Sequence, residues 1–580
     1  MTVTATLARP PAKWTPPKAV DEAVVAALRE ELNLPEPICR LLAARGHAPA
    51  TVARDYLRPR LEQLSPPHGL LGLDRAVERI VRAVRSHEVI LVHGDYDVDG
   101  MCSTTLLTRA LRALGGTVEP FIPHRKEDGY DLGDAGVTAA RRIGATLVIT
   151  CDCGTSAITP VRTLMDAGID VIITDHHLPG GALPNAYAII NPRQPGCTSA
   201  DKDLAAVGVA FKLALAVTRA MGGNENVVMG MLDLVALATI ADVVPLRGEN
   251  RIFARYGLKM LADTRNLGLR ALMRSAGLEP AKLTAGRVSF ILAPRLNAVG
   301  RLGQALRGVE LLTATDDHTA NSIARELEEL NGKRQEMERA VLEEARNRVL
   351  RLDLDTTFGI VLAGEGWHPG VIGLVASRLV EEFARPTIII GLDGAEGKGS
   401  GRSISRFDLH AGIGRCRDLL IRFGGHKAAA GLTIHRDRVD DFARCFNEAV
   451  CSELTIRDLV PEVRIDMEVS LADLTPSFES LLRHLEPCGM GNPSPTLLTR
   501  GVRLAERPRT VGKGGLKLCL QTDTGTPLEA LGWTLGARIG EVDMTRTFDV
   551  AYRLERDEYQ GRSRLQLRLA DFRPAESPTA

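Results

Sequence analysis

Three stretches decide the fold: EVILVHGDYDVDG at 88–100, ATLVITCDCG at 145–154 and IDVIITDHH at 169–177. Each runs apolar and β-branched for several residues and then breaks into acids or histidines. Apolar runs of this kind, separated by helical stretches, predict a parallel sheet covered on both faces. In open α/β sheets the ligand crevice lies beyond the carboxyl ends of the strands. Asp95, Asp97 and Asp99, then Asp152, then Asp175, His176 and His177 are therefore expected along one edge of one sheet.

Carboxylates crowded at such an edge raise one another's pKa values, and divalent cations relieve the conflict. Carboxylate oxygens with one or two imidazoles suit Mn²⁺ or Mg²⁺, and two such ions are the usual device for cleaving phosphate esters. Each acid alone has an ordinary alternative as a helix N-cap or turn residue. DxDxDG also resembles the start of a calcium loop. Such loops need flanking helices and a glutamate at the twelfth position, which counted from Asp95 is Leu106. Cys151 and Cys153 straddle Asp152; strand alternation turns both away from it, as packing thiols.

Outward from this sheet, the 580-residue chain is too long for one core, so three or four units are expected. Lys+Arg and Asp+Glu both number 72, which excludes a global basic signal for nucleic acid and leaves local patches or metal ions to meet an anion. Ten cysteines without a repeated CxxC spacing predict reduced thiols and a cytoplasmic setting. No apolar run reaches the length of a membrane span, and the Pro-rich start, Met1 to Val20, lacks a signal peptide's apolar core.

Residues 1–75 read as an N-terminal helical segment and 76–320 as the parallel-sheet domain, with a mostly helical pattern over 204–330. The charged stretch 321–355 reads as a partly exposed connecting helix, since its heptads are not sustained. A second α/β domain follows at 356–460. Alternating strands such as GLKLCLQT, PLEALGW and TFDVAYRLE at 461–574 suggest an OB-fold barrel, and 575–580 a tail.

HGDYDVDG, TCDCG, TDHH and ATIADVVPL (238–246) together resemble the four signature motifs of the DHH phosphoesterase superfamily. PRLNAVGRLG (294–303), GEGWHPGVIGLVASRL (364–379), GSGRSIS (399–405), FGGHKAAAG (423–431) and LEPCGMGNPSP (485–495) extend the resemblance, from about residue 35 onward, to its single-strand-specific exonucleases. The resemblance implies a DHH domain, a DHHA1 domain that closes over the cleft and receives the strand's 5′ end, and an OB-fold. It implies processive 5′→3′ hydrolysis of single-stranded DNA to 5′-mononucleotides, with two Mn²⁺ or Mg²⁺ ions, in DNA repair and recombination. Asp95, Asp97, Asp99, Asp152, His176 and Asp242 would serve as metal ligands, and His93 would ligate or orient. His177 would contact the scissile phosphate or act as general acid, with Asp175 anchoring the histidines. Asp242 rests on the resemblance alone, because LVALATIADVV by itself reads as a buried helix ending in a capping acid. Met101, Cys102 and Cys488 depart from the usual pattern, at positions that bear on packing.

Arg295 and Arg301 bracket a loop-like PRLNAVGR and are expected either on backbone phosphates or in surface salt bridges. In GSGRS, Arg402 and Ser403 follow glycines whose N–H groups suit an anion nest. GGH at 424–426, before an alanine run, reads as a helix N-terminus offered to phosphate, with His426 at its head. In the barrel, Arg503, Arg507, Arg509, Lys513 and Lys517 with Trp533, Phe548 and Tyr552 suit stacking on single strands, or the aromatics fill the core. The resemblance implies single-strand-binding protein and a helicase as partners, and a monomeric single-strand exonuclease is the leading expectation. The alternatives are a phosphodiesterase of small phosphates or short oligonucleotides, and a non-catalytic strand-binding scaffold.

Overall fold

The computed structural model describes residues 12–125, 127–512, 514–522, 525–559 and 562–575. The expected tail past Ala575 and the basic residue Lys513 lie outside the described residues. The chain forms two compact units: Pro59–Arg334 with Glu486–Pro493, and Met1–Arg58 with Gln335–Leu485 and Ser494–Ala580.

A short strand β1 (Lys13–Thr15) and three helices, α1 (Glu22–Leu32), α2 (Glu36–Ala44) and α3 (Ala50–Leu57), come first. The Asp21 side chain caps α1 by accepting from Ala23 N. The expected N-terminal segment is divided. Val25, Leu28, Ile38, Leu41 and Leu42 share a core with Leu497, Leu516, Tyr552 and Leu567 of the C-terminal strands, whereas the chain from Pro59 belongs to the other unit.

That other unit opens with α4 (Leu73–Arg85) and runs through β2 (Val89–Gly94), α5 (Val98–Ala113), β3 (Thr117–Phe121), α6 (Asp134–Arg142), β4 (Leu147–Cys151), α7 (Ile158–Asp166), β5 (Asp170–Thr174) and β6 (Ala188–Ile190). The five strands are all parallel, in the order β3-β2-β4-β5-β6. Their apolar runs are continuous because both faces are covered. Ile90, Val92, Leu147 and Ile149 enter one core, and Leu91, Val148, Val171 and Ile173 enter another on the opposite face. From β2 the chain passes to β3 on one side and to β4 on the other, so a topological switch point lies between β2 and β4.

Helices complete the unit: α8 (Ala206–Ala220), α9 (Asn226–Met229), α10 (Leu232–Ala241), α11 (Gly248–Ala262), α12 (Leu267–Ser275) and α13 (Ala285–Arg287), then a π-helical turn at Val288–Leu292 leading into α14 (Ala293–Leu302), and α15 (Leu306–Thr313). The stretch PRLNAVGR is therefore helical, not a loop; helical backbone runs from the π turn straight into α14, and Pro294 stands at that junction. The long helix α16 (Asp317–Val349) spans 33 residues.

The second α/β region contains β7 (Ile360–Glu365), α17 (Pro369–Phe383), β8 (Thr387–Asp393), β9 (Glu396–Arg402), α18 (Leu409–Gly414), β10 (Leu420–Gly425), β11 (Ala429–His435) and α19 (Val439–Cys451). Its sheet runs β10-β11-β9-β8-β7. Three sequence expectations fail here. The glycines of GSGRS lie in β9, paired on both sides, so their N–H groups serve the ladders instead of an anion nest. A Cβ at Gly399 would come within 2.7 Å of Leu432 Cδ1, which explains the glycine by packing. FGGHKAAAG likewise forms the β10–β11 hairpin, not a helix N-terminus, because pairing with β9 overrides alanine's helical preference. Cys416 and Cys445 form a disulfide, against the expectation of reduced thiols; Cys416, just past α18, and Cys445 of α19 have their Cα atoms 6.1 Å apart.

The remaining strands are β12 (Glu462–Arg464), paired with β1, and β13 (Met467–Glu468); after α20 (Pro476–Leu482) come β14 (Leu497–Val502), β15 (Arg509–Val511), β16 (Gly515–Leu520), β17 (Leu528–Gly532), β18 (Phe548–Tyr559) and β19 (Arg562–Pro574). Seven of them form one sheet, β13-β14-β18-β19-β17-β16-β15. Phe548 and Tyr552 are buried in its core, so of the three aromatics expected to stack on a strand only Trp533 is exposed.

Candidate metal centre

The loop after β2 turns directly into α5. Asp97 caps that helix, accepting from Asp99 N at 2.9 Å and Gly100 N at 3.1 Å. Gly100 is required there: a Cβ would lie 2.5 Å from Asp95 N. One of the bland readings thus holds, since Asp97 is an N-cap, and its carboxylate still faces the cluster. Asp99 reaches the first turn of α8, taking Ala206 N and Val207 N at 2.8 Å each. A helix N-terminus carries partial positive charge, which suits a carboxylate.

Asp152 follows β4 with φ 64°, a left-handed conformation unusual for a residue with a side chain. Its Oδ1 lies 3.2 Å from His176 Nε2, and that nitrogen is 3.6 Å from Asp242 Oδ2. Asp242 is the residue on which α10 ends. Asp175 has a different role. Its carboxylate accepts from the backbone N–H of His176, His177 and Thr155, and from the ring of His177 at 2.8 Å. It fixes the conformation of both histidines and is absent from the donor groups formed by its neighbours.

Three overlapping groups of donor atoms, each within 4.8 Å, can hold a cation: Asp152, His176 and His177; Asp99, His176 and Asp242; Asp95, Asp97 and Asp152. Asp95 Oδ1, Asp152 Oδ1 and both ring nitrogens of His176 are buried without a hydrogen-bond partner. Buried polar atoms are seldom left so, and oxygen-rich donors with imidazole and no thiolate fit hard or borderline divalent cations. The electrostatics agree. Burial first, and neighbouring carboxylates second, push Asp95, Asp152 and Asp242 well above the usual range and Asp99 up to about 7. Burial lowers His176 to about 4, keeping it neutral as a ligand must be. Burial opposes charge on His177 too, but the hydrogen bond and charge of Asp175 outweigh it and raise His177 to about 9.

His93 lies outside these groups. It is buried with Nδ1 3.6 Å from Cys153 Sγ, and its other ring edge faces Gly136, where a Cβ would come within 2.8 Å. Arg295 pairs with Glu328 on α16, which is the salt-bridge alternative of the sequence reading. Arg301 is half-buried on α14, and its charge acts on Tyr96 in the loop after β2. Arg402, Ser403 and His426 belong to the other compact unit. Arg402 holds Ser400 Oγ and Gly401 O, Ser403 Oγ donates to Phe407 O, and His426 is exposed in the β10–β11 turn.

Sequence reasoning missed Tyr130 and Asp131. The Tyr130 hydroxyl is 3.4 Å from the His177 ring, and Asp131 accepts Gly154 N at 2.6 Å, holding the Asp152 loop. EDGYDLG carries only turn signals, so nothing in it pointed to this contact.

Comparisons with known proteins fit this architecture. The model of the DHH family, N-terminal domain, matches residues 89–239, the DHHA1 domain 356–451 and the RecJ OB domain 465–571. The single-stranded-DNA-specific exonuclease RecJ of Bacillus subtilis is 37% identical over 560 residues, covering 96% of this chain and 70% of its own. The chain belongs to the RecJ family. RecJ of Escherichia coli is also 37% identical, over 563 residues, 93% of this chain and 96% of its own. The crystal structure of Thermus thermophilus RecJ with Mn²⁺ superposes at a TM-score of 0.84, with 31% identity, covering 98% of this chain and 80% of that one. The same protein has been solved with Mg²⁺. The α/β fold, with its parallel-sheet DHH domain, DHHA1 domain and C-terminal OB domain, is the family's.

Proposed function

We propose that this chain is a single-stranded-DNA-specific exonuclease that hydrolyses phosphodiester bonds from the 5′ end and releases 5′-mononucleotides. The observation that carries the reading is the convergence of Asp95, Asp97, Asp99, Asp152, His176, His177 and Asp242 from four segments, with buried oxygens left without partners. Relatives named as single-stranded-DNA-specific exonucleases over most of the chain supply the substrate class. A pair of Mn²⁺ or Mg²⁺ ions, when bound, supplies an acidified water and charge stabilisation for in-line displacement.

The remaining steps fall to side chains. Asp95, Asp97, Asp99, Asp152, His176 and Asp242 hold the ions. His177, protonated and held by Asp175, donates to the departing oxygen or to the scissile phosphate. Arg301, Arg402, Ser403 and His426 contact the strand's phosphates, while Arg295, committed to Glu328, acts by positioning α14. The domain limits proposed are 76–320 for the DHH domain, 356–460 for DHHA1 and 461–574 for the OB domain. A monomer working in the cytoplasm beside single-strand-binding protein and a helicase, in repair and recombination, completes the reading.

The test is direct. A 5′-labelled single strand with Mn²⁺ should release labelled mononucleotide first, and the matching duplex should not. Absence of release, with Asp152→Ala indistinguishable from the parent, sinks the reading.

A further inference from the structure

Helix α10 ends on Asp242, and the next residue, Val243, has φ 59°. A left-handed residue just after a helix is ordinary when it is glycine, which adopts that conformation without penalty. Five other non-glycine residues among those described share a positive φ: Asn33, His87, Asp131, Asp152 and Ala384. Val243 is the one β-branched residue in that set, and for such a side chain the conformation is a true outlier. Strain of this kind persists only when something repays it.

Packing does not repay it. Val243 is 53% exposed, whereas Val244 and Leu246 beside it are buried. The surrounding backbone is fixed without it: Asp242 N bonds Ala238 O, Asn250 Nδ2 holds Pro245 O, and Leu246 N holds Met490 O. A glycine would satisfy the same path at lower cost. The side chain must therefore act outward, and its place is the border of the metal centre, one residue from the Asp242 carboxylate. Leu178, one residue beyond His177, is likewise an exposed apolar side chain at 60%. The two segments meet at the cluster, where His176 and Asp242 approach to 3.6 Å.

We infer that Val243 is a substrate-contact residue, an apolar surface held against the sugar and base of the nucleotide beside the scissile phosphate. The inference rests on the exonuclease reading above. An aliphatic side chain offers no hydrogen bond to a base edge, so it grips by shape and is indifferent to sequence. The strain keeps that surface at the rim, and Leu178 extends it.

Val243→Gly and Val243→Ala test the assignment in the full-length chain. Glycine removes both the strain and the side chain; alanine keeps a Cβ and most of the backbone restriction. Both should raise the thermal midpoint, glycine more. Both should lower kcat/KM about five- to tenfold, through KM, and equally on poly-dT and poly-dA strands. Mn²⁺ affinity, read by calorimetry, should stay within twofold. A weakened Mn²⁺ affinity in the glycine variant, restored in the alanine variant, would show that Val243 serves only to stiffen Asp242 and would overturn the proposal. Unchanged kcat/KM in both variants, or a lower midpoint in both, overturns it too. Should the parent release no nucleotide, the exonuclease reading fails by itself. Binding of a 5′-phosphorylated thymidylate trinucleotide in Ca²⁺, weaker in both variants or unchanged, then still decides the role of Val243.

Discussion

At the scale of single residues, the site separates groups that hold charge from groups that hold geometry. Asp152 is buried, conformationally strained and short of a partner for Oδ1, so removing its carboxylate deletes a donor shared by two of the three cation groups. Asp152→Asn should lower Mn²⁺ affinity and nucleotide release by at least about 100-fold with an unchanged circular dichroism spectrum, since even partners beyond the ligands cost 10–100-fold. Asp175→Asn tests the other class. Its carboxylate, by hydrogen bond and charge, holds the His177 proton up to about 9 against the pull of burial. In the metal-free protein the amide variant should let the His177 titration fall toward the ordinary value near 6.5, followed by the imidazole Cε1–H resonance. The cationic form then disappears at lower pH than in the parent. A midpoint that stays near 9 would mean that another group holds the proton.

At the scale of elements, helix α14 links a motif to the metal loop in a way the sequence did not reveal. In PRLNAVGR, Arg295 and Arg301 are expected on a loop, either on backbone phosphates or in surface salt bridges, yet it is Gly300 that packs against the metal loop. A Cβ on Gly300 would overlap the carbonyl oxygen of Tyr96, between Asp95 and Asp97. Gly300→Ala should therefore displace the loop after β2 and weaken Mn²⁺ binding about tenfold, an effect of overpacking and not of lost charge. Calorimetry on the variant checks it; affinity equal to the parent's would show that the loop can yield at no cost. The parallel sheet and its acidic tips were legible because apolar strands and terminal acids are local signals. Asp242 was not legible from periodicity, since α10 is apolar on every side and an acid at its end looks like a cap. The glycine-rich β9 and the alanine run of β11 misled for the same reason. Their conformation is imposed by strand pairing across the sheet, of β9 with β8 and β11 and of β11 with β9, not by neighbours in the chain.

At the scale of the whole molecule, the two compact units can be followed separately, because Trp14, Trp367 and Trp533 all belong to the one that lacks the metal centre. Leu41 of α2 is fully buried in the core shared with the C-terminal strands. Leu41→Ala should lower the tryptophan-detected transition by about 2–5 kcal/mol and leave Mn²⁺ binding intact. The metal centre should behave in the opposite manner. Asp99 titrates at about 7 in the metal-free fold, for reasons of burial first and Asp97 second, against an ordinary value of 3.8 once unfolded. A carboxyl raised on folding binds its proton more tightly in the folded state, so its contribution to stability is whole below 3.8 and is lost as pH rises to about 7. Asp95, Asp152 and Asp242, shifted in the same direction, extend that loss upward in pH. His176 and His93, both lowered by burial to about 4, act in the opposite sense and add stability as pH rises toward 6.5. The four raised carboxyls outnumber them, so metal-free protein should melt at progressively lower temperature between pH 4 and 7, by on the order of 5 °C. Saturating Mn²⁺ displaces those protons, so its stabilisation should grow across the same window as binding releases them. The pH dependence and its reversal by Mn²⁺ belong in the helical signal at 222 nm and not in the tryptophan transition. A Mn²⁺ effect of equal size in both signals would mean that the units unfold as one, and a metal-free stability that rises over this window would show that the cluster is already ionised without its ions.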